Sequence, residues 1–143
     1  MKQPKNSEYW RDFNARVIAE FRANDGRVGG DLEEANLILL TTTGAKSRQQ
    51  RLVPLAAFTI NDMMIIVGSK GGADHHPDWV YNLRATPRAN VELATEAYDV
   101  IARELPRDQR DRIYQEIVAQ QSRFGEYQDK TSRTIPLFEL QRA

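Results

Sequence analysis

Apolar side chains recur at helical spacing over residues 7–22, where Trp10, Phe13, Val17 and Phe21 share one stripe with Ile18 beside them. That period predicts an amphipathic helix. Ser7 suits its N-cap and Glu8 its first turn. Asn24-Asp25-Gly26 and Gly29-Gly30 end it and open a flexible link. The stripe reads first as a helix laid across a core. Its three aromatics also allow a membrane-surface or substrate-covering helix. Residues 36–43 then form a short apolar run, predicted to be a buried strand. Residues 50–60 form a second strand. Pro54 inside it requires an edge, a bulge, or a place where something other than a strand approaches the backbone. Asn61-Asp62 is a tight turn, residues 63–69 are the return strand of a hairpin, and Lys70-Gly71-Gly72 breaks it.

Pro77 is predicted to start a short helix with Asp78 in its first turn and Trp79, Val80 and Leu83 as its apolar face. It stops at Thr86-Pro87. Residues 89–94 and 98–105 form a second hairpin around Thr95-Glu96-Ala97, with Tyr98, Val100 and Ala102 on one face and Asp99, Ile101 and Arg103 on the other. Pro106 opens a helix running to Phe124, with Ile113, Ile117 and Phe124 inward and Gly125 as its stop. Residues 135–140 close the chain as a strand. Consecutive hairpins without alternating β-α-β units favour an α+β fold: an antiparallel barrel of about six strands with flanking helices.

Composition narrows the function. At 143 residues and 41% apolar, the chain is expected to be a single domain, 1–143, with a full core. Its 20 basic and 20 acidic residues balance, which argues against a broad nucleic-acid face. There is no cysteine, so disulfides, thiolate metal sites and thiol catalysis are excluded. The first residues lack the apolar stretch of a signal peptide, and no apolar run approaches the ~20 residues needed to span a bilayer. A soluble, cytoplasmic protein is the expectation.

Against this neutral background one stretch stands out. Between Glu34 and Asp62 there is no acidic residue, yet Lys46, Arg48 and Arg51 are all present. Thr41-Thr42-Thr43 and Gly44 add hydroxyls and backbone amides beside Lys46 and Ser47. Together they suit a phosphate or several carboxylates, although a solvated basic hairpin loop reads equally well. The glycine spacing is not that of a P-loop. Gly68-Ser69-Lys70-Gly71-Gly72 is a second such loop, and the strand order can bring both to one end of a barrel. Gly71 and Gly72 would admit a close ligand. His75 and His76 are adjacent, so on a helix they point apart, and no metal site is expected. No Ser-His-Asp set, paired carboxylates or dinucleotide fingerprint is present. If the protein is an enzyme, a bound cofactor supplies the reactivity.

Four stretches in order resemble the signature of the deazaflavin-dependent nitroreductase family of actinobacteria, which uses coenzyme F420 on a split β-barrel. They are Leu40-Thr-Thr-Thr-Gly-Ala-Lys-Ser47, Arg51-Leu-Val-Pro-Leu55, Val67-Gly-Ser-Lys-Gly-Gly72 and Pro77-Asp-Trp-Val-Tyr-Asn-Leu-Arg-Ala-Thr-Pro87. Each motif is weak alone; the set is specific. The likeness continues less closely through Tyr127-Gln-Asp-Lys-Thr-Ser-Arg-Thr-Ile-Pro-Leu-Phe138. It implies an FMN-binding-like split barrel in which Lys46, Ser47, Arg51 and Lys70 hold the coenzyme's phosphate and oligoglutamate tail. Thr43 and Gly44 would give backbone contacts. Pro54 and the backbone of Val67, Gly68 and Ser69 would line the ring, and Pro77, Trp79 and Asn82 would wall the pocket. The family usually has a basic residue at Ala45 and a glycine at Arg48, so Arg48 would replace the charge lost at 45. In nitroimidazole-activating relatives, tyrosines near the end of the last helix face the substrate. The nearest positions here are Gln121, Phe124 and Tyr127, and Phe124 cannot donate a proton.

The resemblance therefore implies hydride transfer from reduced F420 to an electron-poor small molecule such as a quinone, an enone or a nitroaromatic. Tyr127 and Ser69 are the candidate proton donors, and Phe124 with Tyr127 forms the acceptor pocket. The alternatives are an FMN-binding split-barrel reductase and a non-catalytic carrier or sensor of F420. The protein is expected as a monomer or homodimer, with peripheral membrane contact through the first helix as an added reading.

Overall fold

The computed structural model describes residues 7–26 and 36–143, without the side chains of Ser7, Glu8 and Trp10. The Ser7 cap, the Glu8 first-turn acid, the Trp10 position and the Gly29-Gly30 link lie outside that description. Within it run α1 (Ser7–Ala23), β1 (Leu37–Thr43), β2 (Gln50–Ile60), β3 (Met63–Val67), α2 (Asp78–Ala85), β4 (Arg88–Leu93), β5 (Glu96–Glu104), α3 (Arg107–Gln120), α4 (Arg123–Asp129) and β6 (Leu137–Arg142). The strands close into a barrel in the order β1-β2-β3-β6-β5-β4, with every pairing antiparallel. This is the antiparallel barrel expected from the hairpin pattern, and the split-barrel fold that the resemblance implies.

β1 reads as a continuous apolar run because both of its faces are covered. Ile38 and Leu40 join Ile66, Val91, Val100, Phe138 and Leu140 in one core, which Trp79, Val80 and Leu83 of α2 extend. Leu37 and Leu39 point the other way, against Val17 and Phe21 of α1. The apolar stripe of α1 is therefore used on the barrel, as the first of its two readings expected. A third cluster forms where Phe58, Ile60 and Ile65 meet Ile113, Tyr114 and Ile117 of α3 and Phe124 of α4.

Pro54 is explained by register. It lies opposite Leu39 in β1, while β3 pairs with β2 only from Ala57 onward. The amide of Ala57 donates toward β1, to Asn36 at 2.8 Å. Alternate residues of a strand donate to opposite sides, so position 54 faces the side on which no described strand pairs. Proline there costs no ladder hydrogen bond.

Several boundaries differ from expectation. β3 ends at Val67, leaving Ser69 in the following loop. The β4–β5 turn is Ala94-Thr95, with Ala94 at φ +53° and Glu96 already in the strand. The closing strand begins at Leu137 instead of 135. The helix expected to reach Phe124 breaks at Gln121-Ser122, and Gly125 lies inside α4 instead of stopping α3. A Cβ at Gly125 would lie 3.3 Å from Val118 Cγ1, so its glycine lets α4 fold back closely on α3. Tyr114 secures that fold by donating its hydroxyl to the Phe124 carbonyl at 2.6 Å. Burial pushes its phenol pKa up to about 12.

Candidate functional site

β1 and β3 each run antiparallel to β2, so both point the same way. The loop after β1 (residues 44–49) and the loop after β3 (residues 68–76) therefore leave the same end of the barrel. Between them lies the unpaired half of β2. The two basic loops anticipated from sequence do share one end.

The first loop is tied down from inside. Gly44 donates to the Gln49 carbonyl at 2.8 Å, and its own carbonyl accepts from Arg48 at 3.0 Å. A Cβ on Gly44 would stand 2.4 Å from Ser47 Oγ and 3.2 Å from the Gln49 carbonyl oxygen, so a side chain there would force Ser47 to turn away. The Asn82 side chain reaches across from α2: its Nδ2 donates to Thr42 Oγ1 at 3.1 Å, and its Oδ1 accepts from the Ala45 amide at 2.9 Å. Asn82 is thus a buried strut with both ends of its amide occupied. Trp79 is likewise buried, edge-on to Phe138 with ring centroids 5.7 Å apart. Asn82 therefore holds the loop from behind, while Trp79 packs into the barrel core. Pro77 is half-buried just ahead of α2.

The outer side of the first loop is cationic. Lys46, Arg48 and Arg51 are exposed and, with Lys70, make no ion pair among the described residues. By contrast, each arginine of β4, β5 and β6 is paired: Arg88 with Asp99, Arg103 with Glu139 and Arg142 with Glu96. Arg51 reaches only Ser47 Oγ, at 3.4 Å. No described hydrogen bond uses the amides of Lys46 and Ser47. Gly44 and Ala45, by contrast, have theirs engaged, so among the described residues the backbone donors left at the head of the loop begin two residues beyond Gly44, at Lys46. Arg48 sits at φ +62°, a left-handed conformation costly for a side chain, which gives a physical reason for glycine at this position in the resembling family. Arg48→Gly is expected to stabilise the fold by about 1 kcal/mol, read as a higher urea midpoint.

The second loop is packed closely. A Cβ on Gly68 would meet Pro136 Cγ and Val80 Cγ2, each at 2.9 Å. Lys70, Gly71 and Gly72 have φ of +47°, +63° and +85°, which turns the chain sharply toward α4. Ser69 is 9% exposed. Its carbonyl accepts from Gly72 and from Arg133. Tyr127 lies against this loop through its backbone at Gly72. Its ring stands edge-on to Phe124, 5.3 Å away, and Phe124 in turn packs on Phe58 at 5.4 Å. Phe124 is therefore a core residue and Tyr127 the half-buried member of the pair.

Arg133 was not foreseen, although it falls within the Tyr127–Phe138 stretch. It donates to the carbonyls of Ala73, Gly68 and Ser69 at 2.7, 3.1 and 2.8 Å and lies 2.7 Å from His76 Nδ1. His75 instead faces Lys70 Nζ at 3.3 Å. The described residues gather no group of three metal-ligating side chains. A shallow hollow of about 230 Å³ at Thr43, Gln50, Thr86 and Asn90 borders the first loop. A larger one of about 650 Å³, beside Gly26 and Asn36, lies at the other end of the barrel, away from these cations. The chemistry points to the cationic end.

Known proteins resemble this chain over most of its length. The model of the family described as F420H(2)-dependent quinone reductase matches residues 11–141. A Mycobacterium tuberculosis protein named F420H(2)-dependent quinone reductase is 34% identical over 128 residues, 87% of this chain and 86% of that one. A solved structure of an F420-H2 dependent reductase, FDR-A, superposes with a TM-score of 0.66 at 38% identity, covering 74% of this chain and 94% of that one. Another, described as a domain-swapped dimer, gives 0.68 at 34% identity, covering 94% and 98%. With its closed barrel, its two loops at one end and a match across nearly its whole length, the chain belongs to the F420H(2)-dependent quinone reductase family and is an F420-dependent oxidoreductase.

Proposed function

We propose that Lys46, Ser47, Arg48, Arg51 and Lys70 hold the phosphate and acidic tail of coenzyme F420, while the open half of β2 around Pro54 and the backbone of Val67, Gly68 and Ser69 line its ring. The observation that carries this reading is the set of cations that have no carboxylate partner among the described residues at one end of the barrel, beside a strand edge that no described strand pairs. The donor set fits the group: unpaired cations for an anionic tail, and a flat, partly apolar edge for a flat ring. When bound in its reduced form, the coenzyme supplies a hydride. The chain's task is to hold that ring against an electron-poor acceptor, a quinone before an enone or nitroaromatic, so that proximity lowers the barrier. Tyr127, half-buried beside the second loop, is the better placed of the two proton donors for the reduced acceptor. Ser69 is nearly enclosed and acts through its backbone first.

The acceptor is a small molecule. Among the described residues no helix is long and apolar enough to cross a membrane. Val17 and Phe21 of α1 are buried against Leu37 and Leu39 and so are not available to a bilayer. We read the protein as cytoplasmic, and as a monomer or a homodimer like the relative described as domain-swapped. A fluorescence titration of oxidised F420 against FMN tests the assignment. Selective, salt-sensitive binding of F420, followed by quinone reduction with the reduced coenzyme, is the expected result. Selective FMN binding would overturn the cradle for an acidic tail, and F420 binding without turnover would make the protein a carrier.

A further inference from the structure

Arg133 lies in the connection between α4 and β6, and its four hydrogen-bond acceptors all belong to residues 68–76. No carboxylate pairs with it among the described residues. A partly buried cation without a counter-ion is costly, and the planar guanidinium fork is what allows one side chain to reach three carbonyls and a ring nitrogen at once. The loop it grips contains three consecutive residues at positive φ, Lys70, Gly71 and Gly72. A backbone of that shape persists only when its surroundings hold it.

We propose that Arg133 is the positioning residue of the site: by holding the carbonyls of Gly68, Ser69 and Ala73, with His76 completing its set of acceptors, it keeps the loop in the shape that presents Ser69 and Lys70 to the coenzyme. This rests on the assignment of F420 to that loop. Because Arg133 Nη1 donates to His76 Nδ1, the imidazole is neutral and carries its proton on Nε2. The groups facing His76 are Arg133 from the α4–β6 connection, Arg84 and the Tyr81 ring from α2, Glu104 at the end of β5, and neighbouring His75. Glu104 is itself held by Arg84 at 2.8 Å. Burial first, and then the Arg133 and Arg84 charges, keep the His76 pKa below the ordinary imidazole value. Protonation would remove the Nδ1 acceptor and set a second cation against the guanidinium. The grip is therefore complete above the ordinary imidazole pKa of about 6.5 and is lost as pH falls through the lower pKa of His76.

The test uses the full chain and two readouts: hydrogen exchange of the peptide covering residues 68–76 in the coenzyme-free protein, corrected for intrinsic rates, and F420 affinity by fluorescence. Arg133→Ala is expected to speed exchange of that peptide and raise the F420 Kd by about tenfold each. The KM for reduced coenzyme should rise more than kcat falls. Arg133→Lys recovers only part of the loss, since one ammonium cannot reach three carbonyls. His76→Asn, which keeps a neutral acceptor, removes the loosening that wild type shows on acidification. Wild-type exchange and affinity in Arg133→Ala would overturn the inference while leaving the coenzyme assignment intact. A wild type that does not bind F420, with a loop that still loosens in Arg133→Ala, would overturn the coenzyme assignment and reduce Arg133 to scaffold. If Arg133→Ala does not fold, identical pH profiles of loop exchange in wild type and His76→Asn overturn the inference.

Discussion

Lys46→Ala combined with Arg51→Ala is expected to weaken F420 binding about 30-fold, at about 1 kcal/mol for each solvent-facing charge-assisted contact. Both side chains are exposed and make no ion pair among the described residues, and Arg51 has only the long contact to Ser47 Oγ at 3.4 Å. Removing them takes from the described residues only that long contact, so the folded state should be preserved. The charge is also locally uncompensated, with no acidic residue between Glu34 and Asp62. Wild-type affinity should therefore fall steeply with added salt and that of the double variant only slightly, since screening acts on the charges removed. Fluorescence titrations at low and high ionic strength measure both effects. Equal affinities and equal salt slopes would rule out these residues as the cradle.

The second large effect concerns the fold. Gly72→Ala is expected to cost about 3 kcal/mol, part from the left-handed backbone and part from overpacking. Gly72 sits at φ +85°, where an added Cβ would stand 2.8 Å from the Tyr127 carbonyl oxygen and 3.1 Å from Lys130 Cβ. The first obstacle is the backbone of α4 and cannot rotate aside. α4 must move off the loop, so F420 binding should weaken along with stability. Gly71→Ala is the internal control. It has φ +63° and nothing within 4 Å, so it should lose only the conformational part, about 1 kcal/mol. Urea midpoints of the two variants separate the terms, and equal losses would show that the contact with α4 is unimportant.

The strands were legible because each carries a local signal. Gln50–Ile60 matches the expected strand at both ends, since Asn61-Asp62 marks its turn and both residues take positive φ. β1 was readable because burial on both faces leaves Leu37-Ile38-Leu39-Leu40 as an unbroken apolar run. The break at Gln121-Ser122 was hidden because no proline or glycine marks it. Gly125, which looked like the stop, is instead a point of close packing on Val118. The basic loops were visible as charge, since an acid-free stretch survives any folding. Asn82, Trp79 and Arg133 show where linear reading ends. Whether an amide faces a ligand or props a turn, and whether an arginine is surface charge or a clamp on three carbonyls, depends on partners 37 to 65 residues away.

The closed barrel leaves, among the described residues, an unpaired stretch of strand edge where β2 outruns β3. Such an edge is ordinarily a hazard for aggregation. Pro54 lies in the middle of this one, so an incoming strand would find the ladder interrupted at its centre. The same position can thus leave a flat surface accessible to small molecules while making it a poor template for fibre growth.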